Sequence, residues 1–205
     1  MEGPGAPPRA EPGEFRIENL PLFPLNSVLF PGGRLPLRIF EQRYMDMAKT
    51  CLKDGSPFGV CLIREGAEVG APAVPNDIGT LAKIVDWDMA QLGVLQVTAR
   101  GEQRFRIRSR SVQRDGLARA TVELLPEESD GPIPPDAARC AKILERIIEQ
   151  HPRLLERPHR LDSCAWVSAR LAELLPLPNE TKQAMLELDD GRARLQRLNG
   201  LVRSD

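Results

Sequence analysis

A proline-rich segment near the N-terminus constrains the fold more than any other part of the chain. Residues Leu20 to Tyr44 read LPLFPLNSVLFPGGRLPLRIFEQRY, so prolines interrupt a run of apolar residues that would otherwise predict one long strand. Proline has no amide hydrogen and a fixed φ angle, so it cannot occupy the middle of a β-ladder. The segment is therefore predicted to form short extended pieces separated by bends, with the sharpest turn at Pro31-Gly32-Gly33 and a helix beginning at Phe40-Glu41.

The composition is that of a globular protein, not of a polyanion-binding or membrane protein. The chain has 205 residues, of which 41% are hydrophobic and 28% charged, and its formal net charge is −1. No apolar run approaches the roughly 20 residues that a membrane helix needs. Residues 1–15 are rich in proline and glycine and lack the apolar centre of a signal peptide, which predicts a disordered tail and a cytoplasmic location.

Apolar and polar residues alternate in the part of the chain that follows the first helix, which is predicted to end at Gly55. Turn signals recur about every ten residues there, which is typical of a small barrel or a curled sheet. The predicted strands span residues 58–63, 79–87, 94–99, 104–110 and 117–125. A turn at Arg100-Gly101 separates the third strand from the fourth, and the fourth has the most regular period of two.

The apolar period becomes helical after a polar, proline-rich stretch at residues 127–135. The spacing beyond this stretch predicts several amphipathic helices, with Ser163 and Asn179 as candidate caps. The sequence therefore predicts a tail at residues 1–15, a β domain at 16–126, a linker at 127–135 and a helical domain at 136–205.

Short motifs occur in a fixed order along the chain. They are Leu20-Pro21-Leu22, Phe30-Pro31-Gly32, Leu35-Pro36-Leu37, Phe40-Glu41-Gln42-Arg43-Tyr44, Gly79-Thr80 and Arg104-Phe105. This order resembles the N-terminal, substrate-binding domain of ATP-dependent Lon proteases, and the resemblance covers about residues 20–202. It implies an α+β fold in which a PUA-like β pseudo-barrel with one helix is followed by a C-terminal helical domain.

The same resemblance implies recognition of proteins without catalysis. Lon proteases carry their ATPase and their serine–lysine peptidase on later domains, and this chain ends before either could begin. The sequence contains no G-x-x-x-x-G-K-[ST] loop, no G-x-S-x-G elbow and no H-E-x-x-H pair. We therefore expect a stand-alone, non-catalytic protein that needs no cofactor and binds exposed hydrophobic or unfolded polypeptide segments. As an adaptor for proteolysis, it would have an ATP-dependent protease as its partner.

The cysteines and histidines do not predict a metal site. Metal ligands are usually clustered at short, fixed spacings, whereas the cysteines here are far apart and lie among apolar residues. They are Cys51, Cys61, Cys140 and Cys164. We expect them to be buried free thiols, and we expect both histidines to lie in a solvated loop.

The candidate residues for peptide binding are Phe30, Glu41, Arg43 and Tyr44. Phe40 and Tyr44 are four residues apart at a helix start, where they would either pack as a pair or form one wall of a peptide groove. The packed position is favoured for Phe40, whereas both alternatives stay open for Tyr44. Phe30 lies beside a glycine turn, where an exposed apolar side chain would suit protein recognition.

A row of arginines gives an alternative function. Arg104, Arg106, Arg108 and Arg110 alternate with Phe105 and Ile107, so they are predicted to share one face of a strand. PUA-like folds include RNA-binding proteins, and a basic strand could follow a phosphate backbone. An ordinary solvated strand face would show the same pattern, acidic residues lie near by, and aromatic residues for base stacking are scarce. RNA binding is therefore the alternative, and nucleic acid is not the expected partner.

Overall fold

The computed structural model describes residues 15–202, apart from the side chains of residues 90 and 91. The predicted tail lies outside these residues except for Phe15. The β part consists of β1 (Arg16–Leu25), β2 (Arg34–Ile39), α1 (Gln42–Asp54), β3 (Phe58–Glu65), β4 (Val74–Pro75), β5 (Ile78–Gln91), β6 (Val94–Val112) and β7 (Ala118–Leu124). A short 3-10 helix (Pro135–Ala137) then leads into α2 (Ala138–Gln150), α3 (Cys164–Leu174), α4 (Asn179–Leu186) and α5 (Gly191–Leu201).

The strands close into a barrel. β1, β7, β6, β5 and β3 are hydrogen-bonded in this order, and β3 pairs back onto β1 in parallel, which completes the ring. The other pairs in the ring are antiparallel. β2 adds to β6 outside the ring, and β4 adds to β3. This arrangement, with α1 against the sheet and helices after it, confirms the predicted pseudo-barrel and helical C-terminal part.

Three of the prolines do not interrupt the strands that contain them, contrary to the prediction. β1 runs without interruption through Pro21 and Pro24. It pairs with β7 as far as Pro21 and with β3 from Leu22 onward, so each half of β1 pairs on one side. Proline is excluded from the middle of a ladder but is accepted where one side of a strand is open, and Pro36 in β2 is in the same position.

Gly101 marks a close approach of two backbones, not the predicted turn. β6 is continuous from Val94 to Val112 and passes straight through this glycine. The Gly32 amide donates to the Gly101 carbonyl at 2.8 Å, and the Gly101 amide donates to the Gly33 carbonyl at 2.9 Å. A Cβ atom at position 101 would collide with the carbonyl oxygen of Phe30. The connection between β1 and β2 is therefore bound tightly onto β6.

The predicted end of α1 and the predicted cap of α3 are confirmed, whereas the predicted cap of α4 is wrong. α1 ends at Gly55, which has the left-handed φ of 64°. Ser163 caps α3 by accepting a hydrogen bond from the Trp166 amide at 3.0 Å. Asn179 is not the cap of α4, because Pro178 occupies that position and the Asn179 side chain donates to the carbonyl oxygen of Asn26 at 2.7 Å.

One hydrophobic cluster joins the barrel to the helices. Phe30, Leu62 and Ile78 from the β part belong to the same cluster as Leu144 and Leu171 from α2 and α3. Two further clusters lie between α1 and the sheet and inside the barrel. The barrel and the helices therefore share a core. That they separate at residues 127–135 stays a prediction, which limited proteolysis would test.

Three buried arginines cross the same boundary. Arg104 of β6 donates to the backbone carbonyls of Leu186 at the end of α4 and of Leu188 in the α4–α5 connection, each at 2.8 Å. Arg170 of α3 donates to the carbonyl oxygen of Pro31 at 2.8 Å. Arg194 of α5 pairs with Glu128 of the connection after β7, and its guanidinium lies over the ring of Phe30. A buried charge is tolerated when it is paired and hydrogen-bonded, so these contacts fix the position of the helices on the barrel.

Candidate functional site

A groove of about 320 Å³ runs beside β2, between the end of β1 and the start of α1. Its lining comprises Phe23, Leu25, Ser27, residues 35–40 in unbroken sequence, Glu41, Tyr44, Glu68 and Val69. Successive residues of a strand point to opposite faces of a sheet. Because consecutive β2 residues all border the groove, it follows the edge of this strand and does not lie on one face.

The floor and the wall of the groove are apolar. Leu37 and Ile39 are buried, and they lie opposite Val97 and Leu95 of β6 in the strand register. The Tyr44 ring forms the wall and stacks on Phe23, with 4.1 Å between the ring centroids. Burial raises the pKa of the Tyr44 phenol, against the opposing effect of the Arg43 charge, so the wall carries no charge at neutral pH.

Exposed apolar side chains stand at the mouth of this groove. Phe40 is 57% exposed and Val69 is 56% exposed. The prediction that Phe40 packs against Tyr44 is wrong. The helix begins at Gln42 with Glu41 as its cap, so Phe40 precedes it, and the Tyr44 ring is already stacked on Phe23. An exposed aromatic ring beside an apolar groove is a common feature of protein-recognition surfaces.

Arg43 supports the groove from behind. It is 8% exposed, and its guanidinium pairs with Glu41 at 2.8 Å and donates to the carbonyl oxygens of Gly70 at 2.9 Å and Gly116 at 3.2 Å. The same group lies 4.7 Å from the centroid of the Tyr44 ring. Of the predicted peptide-binding residues, Glu41 and Tyr44 therefore line the groove, whereas Arg43 holds the neighbouring loop against the start of α1.

Phe30 is placed far from solvent, contrary to the prediction that it is exposed. Its side chain has 0% exposure and belongs to the cluster that joins the barrel to the helices. The guanidinium of Arg194 lies 5.7 Å from its ring centroid. The reason is the close approach at Gly101, which binds the Phe30–Gly33 turn onto β6 and directs the ring into the core.

The predicted arginine face is interrupted at Arg104. This residue is 2% exposed, because the connection between α4 and α5 covers the β6 face opposite Phe105. Arg106, Arg108 and Arg110 are exposed, as predicted, but Arg108 pairs with Glu123. The remaining basic surface is smaller than the sequence pattern indicates, and a carboxylate lies within it.

Sequence reasoning missed two further surfaces. Trp87 and Leu92 of the β5–β6 hairpin are 57% and 96% exposed, and Trp87 lies opposite Val97 in the register. A charged cleft of about 850 Å³ separates the barrel from α3, with Trp166 in its wall. Residues from several distant segments form this cleft, so no local sequence pattern predicts it.

Across residues 15–202, no three His, Cys, Asp or Glu side chains are grouped to hold a metal ion, and no helix is long and apolar enough to cross a membrane.

The chain combines a closed pseudo-barrel, C-terminal helices and a groove along the edge of β2. Comparison with known protein families shows which family of domains has this sequence pattern. Residues 19–204 match the family described as the ATP-dependent protease La (LON) substrate-binding domain. The chain belongs to this family.

Curated relatives extend well beyond the matched region. Lon protease 2 of Myxococcus xanthus is 29% identical over 200 residues, which are 91% of this chain and 24% of that protein. Protein cereblon of Danio rerio is 28% identical over 144 residues, which are 68% of this chain and 32% of that protein. The chain thus spans about a quarter to a third of these relatives.

Solved structures share the fold. A Lon N-terminal domain protein from Xanthomonas campestris is 41% identical, with a TM-score of 0.74, and the match covers 89% of this chain and 97% of that chain. The N-terminal domain of Mycobacterium avium complex Lon protease is 18% identical, with a TM-score of 0.61 over 88% of this chain and 96% of that chain. The second likeness concerns the fold alone.

Proposed function

We propose that this protein binds extended, apolar segments of unfolded polypeptides in the groove beside β2. The observation that carries the proposal is the apolar groove itself, lined along the edge of β2 and bordered by the exposed Phe40. Membership of a family described as a substrate-binding domain supports it. The protein would act without catalysis, as a recognition partner or adaptor of an ATP-dependent protease.

The driving force would be burial of apolar side chains of the bound segment. A buried Leu or Phe side chain contributes about 1.5–3 kcal/mol, and part of this gain is lost in ordering a flexible polypeptide. The expected affinity is therefore roughly micromolar, as is typical of transient recognition. Most of the binding free energy should come from a few apolar contacts near Phe40 and Tyr44, with rim charges affecting mainly the association rate.

The absence of catalysis is part of the proposal. The matched family is the substrate-binding part of Lon, so purified protein should neither hydrolyse ATP nor degrade an unfolded protein. The four cysteines are free and buried, as a reducing compartment such as the cytoplasm permits, and we place the protein there. Activity that copurifies with the chain, and is lost when one of its residues is changed, would contradict this part.

The test is a binding titration with a matched pair of variants. A reduced, alkylated, fluorescently labelled unfolded protein serves as the ligand, and fluorescence anisotropy gives its affinity. Phe40→Ser should weaken binding about tenfold, since it removes an apolar contact at the mouth. Val112→Ser changes an equally exposed apolar residue of β6 outside the groove lining and should have no effect.

Thermal melts of both variants control for folding, because Phe40 is largely exposed and its loss should leave the melting temperature unchanged. Equal affinities of the two variants would contradict the assignment of the groove. A wild-type protein that binds no unfolded ligand would contradict the function itself.

A further inference from the structure

We infer that the polypeptide in this groove is held as an additional β-strand on the open edge of β2, with an acidic residue opposite Arg38. This inference rests on the proposed function and specifies both the conformation and the residue pattern of the bound segment. The ligand class is an extended segment with apolar residues two positions apart and an acidic residue between them.

β2 offers an open strand edge to the groove. It is hydrogen-bonded to β6 along its length, from Arg34 opposite Arg100 to Ile39 opposite Leu95. Within residues 15–202 no strand pairs with its other side. An extended peptide that adds to such an edge satisfies main-chain groups of both partners, which gives affinity with little demand on sequence.

Pro36 indicates which main-chain groups point to the groove. A proline in a strand is accepted where its nitrogen faces away from the ladder, because it cannot donate a hydrogen bond. Main-chain groups alternate in direction along a strand, so Arg34 and Arg38 should share the side of Pro36. The carbonyl groups of Arg34, Pro36 and Arg38 would then form a row with a spacing of about 7 Å, which matches alternate residues of an added strand. Only Arg34 and Arg38 would add an amide donor to this row, because proline has none.

The side chains of an added strand would separate into two sets. The inner set would lie over Leu35, Leu37 and Ile39 and fill the groove of about 320 Å³, which is at the small end of ligand pockets. The outer set would lie beside Arg34, Pro36 and Arg38, all of which are exposed. Apolar residues are therefore expected at alternate positions only, and a polar residue between them.

The charge on the outer face selects an acidic residue for that position. Arg34 is already paired with Glu156 at 2.6 Å. Arg38 takes part in none of the ion pairs found in residues 15–202. The two carboxylates that line the groove are engaged elsewhere, since Glu41 pairs with Arg43 and Glu68 accepts a hydrogen bond from the backbone amide of Asn26. A carboxylate opposite Arg38 would complement this charge across the strand pair.

The first experiment uses a labelled peptide with the sequence Ser-Thr-Leu-Asp-Phe-Thr-Ser and two N-methylated versions. One version is methylated on the Leu and Phe amides, and the other on the Asp amide and the amide of the second Thr. Amides of successive residues point to opposite sides of a strand, so only one version should lose affinity, by tenfold or more. Strand addition is overturned if the parent binds in a Phe40-dependent way while both methylated versions bind equally.

The second experiment exchanges the charges. Arg38→Glu should weaken binding of the parent peptide about threefold to tenfold and should strengthen binding of a version with Lys in place of Asp. Arg110→Glu, an exposed arginine of β6 outside the groove lining, is the matched control and should change neither. Equal effects of the two variants would overturn the assigned contact with Arg38. If the protein binds unfolded polypeptide but does not bind the parent peptide, the proposed residue pattern is overturned. If it binds neither ligand, the proposed function is overturned.

Discussion

Phe30 and Phe40 come from the same proline-rich segment and yet have opposite environments. Phe30 is fully buried at the junction between barrel and helices, whereas Phe40 is 57% exposed at the mouth of the groove. The difference comes from what each backbone meets. The turn after Phe30 is bound to β6 through Gly101, whereas Phe40 follows an edge strand and precedes the first turn of α1. The part of the segment around Phe30 thus stabilises the fold, and the part around Phe40 is free to bind a ligand.

The largest expected effect tests this contrast directly. Phe30→Ala should lower the free energy of unfolding by about 3–5 kcal/mol, because it leaves a cavity in the shared core. Phe40→Ala should change it by less than about 0.5 kcal/mol, because the ring is mostly in water. Chemical denaturation measures both values. Similar losses of stability in the two variants would contradict the different environments described for Phe30 and Phe40.

Arg104 and Arg106 form a second matched pair. Arg104→Gln should cost about 2–4 kcal/mol of unfolding free energy, since two carbonyl oxygens and Asp189 lose a buried cationic partner. Arg106→Gln lies on the exposed continuation of the same face and should stay within about 0.5 kcal/mol. Denaturation curves with unchanged slopes would make the comparison valid. An equal, small effect of both changes would contradict the role of Arg104 at the junction.

The junction should also make stability depend on pH. Burial raises the pKa of Glu173 to about 7, although Arg170 lies 2.7 Å from its carboxylate and Lys182 also favours the charged form. The folded protein therefore holds a proton that the unfolded chain releases near its ordinary pKa of 4.5. Stability should fall by roughly 3 kcal/mol as the pH rises from about 4.5 to 7, and it should stay level above that.

Glu173→Gln should remove most of this fall, because glutamine does not titrate. Thermal melts at a series of pH values, with the exposed Glu145→Gln as the control, measure the difference. The same downward slope in the Glu173 variant would mean that another group is responsible.

The smallest expected effect concerns RNA. Replacing Arg106, Arg108 and Arg110 with glutamine should leave the weak, salt-sensitive background binding of RNA nearly unchanged, because the basic surface is short and contains Glu123. An electrophoretic mobility assay at low and high salt measures this. Submicromolar wild-type affinity with a steep salt dependence, lost in the triple variant, would favour the RNA alternative over the peptide groove.

Features that depend on neighbouring residues can be predicted from this sequence, whereas contacts between distant parts of the chain cannot. Gly55 and Ser163 could be assigned because a helix end depends on a few neighbouring residues. Arg104 was misplaced because the residues that cover it are more than 80 positions later in the chain. The local sequence at Gly101 predicts a turn, because the Phe30 carbonyl that requires a glycine there comes from a distant part of the chain.

Only part of the groove lining can be predicted from the sequence, for the same reason. The motif that contains Glu41 and Tyr44 predicts these two lining residues, whereas Leu35 and Leu37 belong to a motif that predicts only the fold, and no sequence signal points to Val69. The usable signal was Pro36 within the alternating RLPLRI of β2, because a proline inside an alternating strand marks an open edge. Whether an edge adjoins a cavity depends on the loop after β3, which has no regular pattern.

Closure of the barrel through β1 has a consequence for how the chain folds. The first strand pairs with the last strand of the ring, as Leu20 lies opposite Ala120, so the ring cannot close until about a hundred further residues are available. Contacts of such long sequence separation slow folding, because the entropy of loop closure is lost before the contacts form. On the ribosome, residues 16–21 of β1 would remain unpaired throughout that interval, whereas residues 22–25 can pair with β3 after about 40 further residues. A protein proposed to bind unfolded chains therefore passes through a stage in which the first half of its own first strand resembles its ligand.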